Sequence, residues 1–124
     1  ERDLDLRVFE KETAFVLGSF EVEPIFVTHS LPDAYAFAIW TVNGIIIFTG
    51  DFKFDFTPID GRLSEISRFG ELGDEGVALL LCDSTNAEVP GWSPSERSIT
   101  GSLKRAFPGG EWISIRRSQA IKGS

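Results

Sequence analysis

One histidine, one cysteine and no methionine leave this sequence short of the side chains that most often bind soft metals or act as nucleophiles. Cys82 has no partner for an internal disulfide, so no oxidising compartment is implied. It closes the aliphatic run Val77-Ala78-Leu79-Leu80-Leu81-Cys82 and is expected to be a buried, inert thiol. No window approaches the ~18 apolar residues of a membrane helix, and Glu1-Arg2-Asp3 opens no secretory signal. The expectation is therefore a cytoplasmic protein with neither a membrane nor a disulfide partner. Positive charge is also scarce: 12 Lys and Arg stand against 19 Asp and Glu, a formal net charge of −7. That balance argues against a broad basic face for nucleic acid, though not against a local channel. The chain contains no HxHxDH, HExxH, GxxxxGK[ST], GxSxG or CxxC motif. With no initiator at its start, it is expected to be a fragment, a processed product or an edited sequence.

What is present is core material. The chain is 42% hydrophobic over 124 residues, with 11 Phe and 3 Trp, enough for one domain or part of one. Phe15-Val16-Leu17 and Phe20 to Val27 flank Gly18-Ser19 and read as paired strands, with Pro24 favouring an edge position or a break. Leu31-Pro32-Asp33 interrupts. Tyr35 to Thr41 and Ile45 to Thr49 surround Asn43-Gly44, the strongest short-range hairpin signal, because both residues tolerate φ > 0. Ile45-Ile46-Ile47-Phe48 shows no alternation, so this strand is expected to be covered on both faces.

Leu63, Ile66, Phe69 and Leu72 repeat as one helical stripe, with a stop expected at Gly73. Val77 to Cys82 follows as a buried strand, predicting a helix layered on a sheet. Ser93-Pro94-Ser95-Glu96 has the form of a capping box with Pro at the first helical position. Ile99, Leu103, Ala106 and Phe107 then keep helical spacing up to Pro108-Gly109-Gly110, and Trp112 to Ile115 suggests one more strand.

Chemistry concentrates at strand ends. His29 lies just past Ile25-Phe26-Val27, and Asp51 lies just past the Ile45 run on a Gly turn that lets a carboxylate project from the sheet edge. Each has a plainer reading: a hydrogen-bonded histidine, and a turn Asp bonding its own backbone. Asp55, before Thr57-Pro58, suits a turn acceptor, and Asp60-Gly61 is turn chemistry. Asp83 emerges from an apolar strand into Ser84-Thr85-Asn86, where a ligand site and a loop cap stand as equal alternatives. A catalytic zinc wants about three protein ligands and an open position. One His and a few Asp do not make up that set.

Three linked stretches nevertheless resemble one family. Thr28-His29-Ser30-Leu31-Pro32-Asp33, Thr49-Gly50-Asp51-Phe52-Lys53-Phe54-Asp55 and Asp83-Ser84-Thr85-Asn86-Ala87-Glu88 are similar, in order and spacing, to the ribonuclease J family. That family belongs to the β-CASP group of RNA-processing nucleases with a metallo-β-lactamase fold, and the similarity runs from about Val22 to Phe107. The resemblance implies an α/β (α+β layered) fold, a partial metallo-β-lactamase αββα sandwich with the beginning of a β-CASP insertion. It implies core over residues 1–86 and the start of the β-CASP region over 87–115, with 116–124 unmatched. His29 resembles a zinc-ligand histidine, Asp51 the aspartate bridging two zinc ions, and Asp83 a catalytic acid orienting a histidine further downstream. The HxHxDH loop that should precede these residues, and the later histidines, are missing. Expectations are thus a zinc-dependent ribonuclease segment, inactive alone, with RNA as partner of the intact enzyme and a homo-oligomeric state. Two alternatives are a non-catalytic interaction module and a related hydrolase acting on DNA or another phosphodiester.

Overall fold

A computed structural model describes residues 7–106. The chain begins as an antiparallel meander of β1 (Phe15–Leu17), β2 (Phe20–Phe26), β3 (Tyr35–Thr41) and β4 (Gly44–Phe48). Helix α1 (Ile66–Glu75) then carries the chain back so that β5 (Val77–Leu81) pairs parallel with β4, and α2 (Arg97–Ala106) follows. A parallel neighbour needs a crossover of this kind, since no tight turn can supply it. Sheet order is β1-β2-β3-β4-β5. The result is the expected mixed α/β architecture, with helix laid on sheet.

One face of the sheet holds the core. Ile25, Val27, Ala36, Ala38, Ile45 and Ile47 meet Leu72 of α1, with Phe69, Trp40, Phe52 and Val77 packed around them. On this face Glu23 of β2 receives Arg68 of α1 in a two-pronged pair, Nε–Oε1 at 2.8 Å and Nη2–Oε2 at 2.9 Å. Among the described residues, the opposite face is covered over β1 to β3. There Phe9 stacks on Phe15 and meets Tyr35 and Phe37 edge-on, and the Arg62 guanidinium lies 3.6 Å above the Phe26 ring.

Several expectations change. Ile45 and Ile47 are buried, but Phe48 on the other face is 46% exposed, so the described residues cover β4 fully on one side only. Leu79, Leu80 and Leu81 are likewise exposed, because β5 forms the sheet edge and no described residue covers its outer side. Cys82, at the end of that edge strand, is exposed rather than buried. The β3–β4 turn is centred on Val42 and Asn43. Gly44 alone takes positive φ, at 116°, and pairs with Thr41.

Helix α1 runs through Gly73 and stops at Gly76, whose φ of 103° and N–H to Leu72 O close it. Gly inside a helix costs only ~1 kcal/mol, less than burying Leu72 returns. Pro24 lies in the second strand rather than at the outer edge. Three-residue β1 ends opposite Val22, however, so at Pro24 β2 pairs with β3 alone among the described strands. The segment from Phe107 on, including the strand expected at Trp112 to Ile115, lies outside the described residues. Among those residues no helix is long and apolar enough to cross a membrane.

Candidate functional site

Strand direction brings the chemistry together. β2, β4 and β5 all run the same way, since β2 and β4 are each antiparallel to β3 and β5 is parallel to β4. Their C-terminal ends therefore share one sheet edge, and His29, Asp51 and Asp83 follow those ends in turn. Ligand sites in α/β sheets favour this location because loops leave the strands there.

Hydrogen bonds tie the three loops. Thr49 N–H donates to Leu81 O at 3.0 Å, and Asp83 N–H donates to Thr49 Oγ1 at 3.0 Å, joining β4 to β5 just before Asp51. Gly50 makes the turn with φ of 56°, passing so close to Tyr35 O that an added Cβ would lie 3.4 Å from it. Lys53 N–H donates to Thr28 O at 2.7 Å, joining the Asp51 turn to the residue before His29.

Thr28 is the hub, and it is buried. Its hydroxyl donates to Lys53 O and accepts Asp55 N–H at 3.1 Å. With its one proton spent, the 2.8 Å contact to Ser64 must run from the Ser64 hydroxyl, which itself accepts Thr28 N–H at 2.8 Å. Every polar atom of this buried cluster has a partner, which a rigid site requires.

The candidate residues differ in commitment. Asp83 is engaged: its Oδ1 accepts Thr85 N–H at 2.9 Å and the Thr85 hydroxyl at 2.6 Å. These two bonds, opposed by partial burial and helped by Phe52 N–H and the charge of nearby His29, hold its carboxyl below the ordinary value. The loop-cap geometry and the approach of His29 thus coexist at Asp83. By contrast, neither the half-buried His29 ring nor the exposed Asp51 carboxylate hydrogen-bonds to a described residue. The reading of Asp51 as a turn acceptor is therefore not what the structure displays. Asp60 does behave so, accepting Arg62 N–H at 3.1 Å. No group of three or more His, Cys, Asp or Glu capable of holding a metal ion occurs among the described residues.

Asp55 does more than its local pattern suggests. Its Oδ1 accepts Thr57 N–H at 3.0 Å, the expected turn. Its Oδ2 accepts the Ser95 hydroxyl at 2.8 Å and Glu96 N–H at 3.1 Å, so a carboxylate forty residues upstream caps α2. Ser95 Oγ also accepts Arg97 N–H at 3.2 Å, so the cap falls at Ser95 and the helix starts after it, not at Pro94. Lys53 Nζ reaches Glu96 Oε1 at 2.9 Å, and Arg97 Nη2 reaches Pro58 O at 3.0 Å. A cavity of about 250 Å³ opens beside this junction, bounded by His29, Leu31, Pro32, Asp55, Ile59 and Glu96. No sequence spacing signals these contacts, which join segments remote along the chain.

No family model matches the chain. Among curated proteins it is 51% identical over 94 residues to ribonuclease J of Mycobacterium tuberculosis, covering 76% of this chain and 17% of that protein. It is 52% identical over 89 residues to ribonuclease J of Synechocystis, covering 72% and 14%. It is 40% identical over 109 residues to ribonuclease J of Sinorhizobium meliloti, covering 88% and 19%. The chain thus spans less than a fifth of these relatives' length. Among solved structures, a protein of unknown function from Enterococcus faecalis V583 shares the fold, with TM-score 0.60 and 23% identity over 82% of this chain and 25% of that one.

Proposed function

The chain belongs to the ribonuclease J family of hydrolytic nucleases, and from that we propose that it is a middle segment of an RNA-cleaving zinc enzyme. Residues 1–86 contribute to the metallo-β-lactamase core and the β-CASP region starts near residue 87. His29 and Asp51 would hold zinc, and Asp83 would position a histidine from elsewhere in the enzyme. The observation that carries this reading is a contrast: at an edge where Thr28, Thr49, Asp55 and Asp83 are all hydrogen-bonded, the His29 ring and the Asp51 carboxylate alone among these make no hydrogen bond to a described residue.

An imidazole nitrogen and a carboxylate oxygen suit zinc, but two donors fall short of the ~4 positions the ion fills. They fit as a partial set. When bound, a zinc pair supplies Lewis acidity at a phosphodiester. For their part, the residues of this chain would hold the ions and keep their loops still. Asp51 would neutralise part of the metal charge, and Asp83, kept ionised by Thr85, would orient its partner's imidazole.

The test compares two proteins. The 124-residue chain alone should retain well under one zinc per molecule after desalting, by inductively coupled plasma mass spectrometry, and should cleave no RNA. In the full-length protein, His29→Ala and Asp51→Ala should lower zinc content and reduce RNA cleavage by more than the ~100-fold that loss of an outer partner can cause. Full zinc and full activity in both variants would overturn the assignment.

A further inference from the structure

We propose that Asp55 and Thr28 are positioning residues, which register the start of α2 against the loops carrying His29 and Asp51. This deepens the zinc reading and rests on it for its catalytic consequence, but not for its structural one. Between β5 and α2 the chain from Ser84 to Pro94 is exposed, so the connection itself gives the helix little anchorage. Anchorage comes from the side. One oxygen of Asp55 takes the Ser95 hydroxyl and Glu96 N–H, the other holds Thr57, and Asp55 N–H is fixed on Thr28 Oγ1. Lys53, two residues from Asp51, adds its ammonium to Glu96. Thr28, next to His29, takes Lys53 N–H on its carbonyl and gives its own hydroxyl proton to Lys53 O.

Any displacement of the Ser95–Glu96 cap must therefore break bonds to the same loop that carries Asp51. Ser95 already caps the helix locally by accepting Arg97 N–H, so the bonds from Asp55 to Ser95 and Glu96 are an addition that capping alone does not require. Capping by Asp55 gives the helix a fixed origin relative to the metal edge. A substrate held between the two regions would then meet the metals at a set distance, and small misplacements of that kind cost catalysis heavily.

The experiment has a structural arm and a functional arm. Hydrogen exchange on the full 124-residue chain should show the Glu96, Arg97 and Ser98 amides losing protection about fivefold or more in Asp55→Ala. β2 and β3 amides should stay unchanged. Ser95→Ala, a partly exposed change that leaves the sheet intact, should do the same, and the double variant should add little. Full-length Asp55→Ala and Ser95→Ala should keep their zinc but lose kcat, with KM little changed. Unaltered α2 protection in Ser95→Ala, or strictly additive effects, would overturn the proposal. Retention of zinc by His29→Ala would instead sink the metal assignment while leaving the structural arm standing.

Discussion

Asp51 and Asp55 stand four residues apart on one loop, and their surroundings assign them different work. Asp51 is exposed and its carboxylate bonds to no described residue, whereas Asp55 is buried and surrounded by donors. Burial alone would push the Asp55 carboxyl up. The N–H of Thr57, the hydroxyl of Ser95, the N–H of Glu96 and the charge of Lys53 together outweigh it, and the group sits below its ordinary value. A carboxyl lowered in the folded state contributes stability that is fully present above its unfolded value, near 3.8, and is lost as pH falls through the folded value. Acid should therefore release the α2 cap only below that point. An NMR titration of the Glu96 amide should give a midpoint under 3.8, abolished in Asp55→Asn, and a midpoint at or above 3.8 would refute the account. At this scale the sequence revealed half of Asp55: the turn to Thr57 follows from local spacing, while the reach to Ser95 depends on how remote segments pack.

Among the elements, the junction of β4 with β5 is the most exacting. Ile45 pairs with Val77 and Ile46 with Leu79, leaving Ala78 as an extra residue in the ladder. Gly44 lies against it: a Cβ added there would stand 3.0 Å from Ala78 Cβ, on a backbone with φ of 116°. Gly44→Ala should cost about 1–3 kcal/mol in urea denaturation, from strain and contact together, and a loss under ~0.5 kcal/mol would show that the junction relaxes freely. Element types were legible because short apolar runs, a helically spaced apolar stripe and Gly turns act locally. The β1–β2 pair, the β3–β4 hairpin, α1 and β5 all follow from such patterns. Boundaries were less so. Gly73 and Gly76 both offer a helix stop, and Ser93 and Ser95 both offer a cap. The choice falls to tertiary contacts: Leu72 packed on the sheet in one case, Asp55 in the other.

Over the whole molecule, the unbroken apolar runs of β4 and β5 encode more cover than the described residues provide. Pairing sets Phe48 with Leu81 and Ile46 with Leu79 on one face, where Phe48, Leu79 and Leu81 are each close to half exposed. This is why strand identity was readable and burial was not: the composition of a strand reflects its final environment, including surfaces other parts of a protein supply. In isolation the 124-residue chain should self-associate as concentration rises, despite its net charge of −7. Leu79→Lys should weaken that association about tenfold or more, from the loss of one buried leucine at the contact. Sedimentation velocity over a concentration series measures it, and a monodisperse monomer throughout would show that this face tolerates water. The convergence of His29, Asp51 and Asp83 also belongs to this scale, since strand polarity puts all three at one edge although they span more than fifty residues of sequence.

Cys82 gives that edge an unplanned convenience. As the chain's sole sulfhydryl, it sits exposed one residue before Asp83, where the strand hands over to the loop. A maleimide fluorophore or nitroxide would attach at this point alone, with no background to engineer away. Its signal would then report on the junction of β5 with the Asp83 loop in an otherwise unaltered sequence.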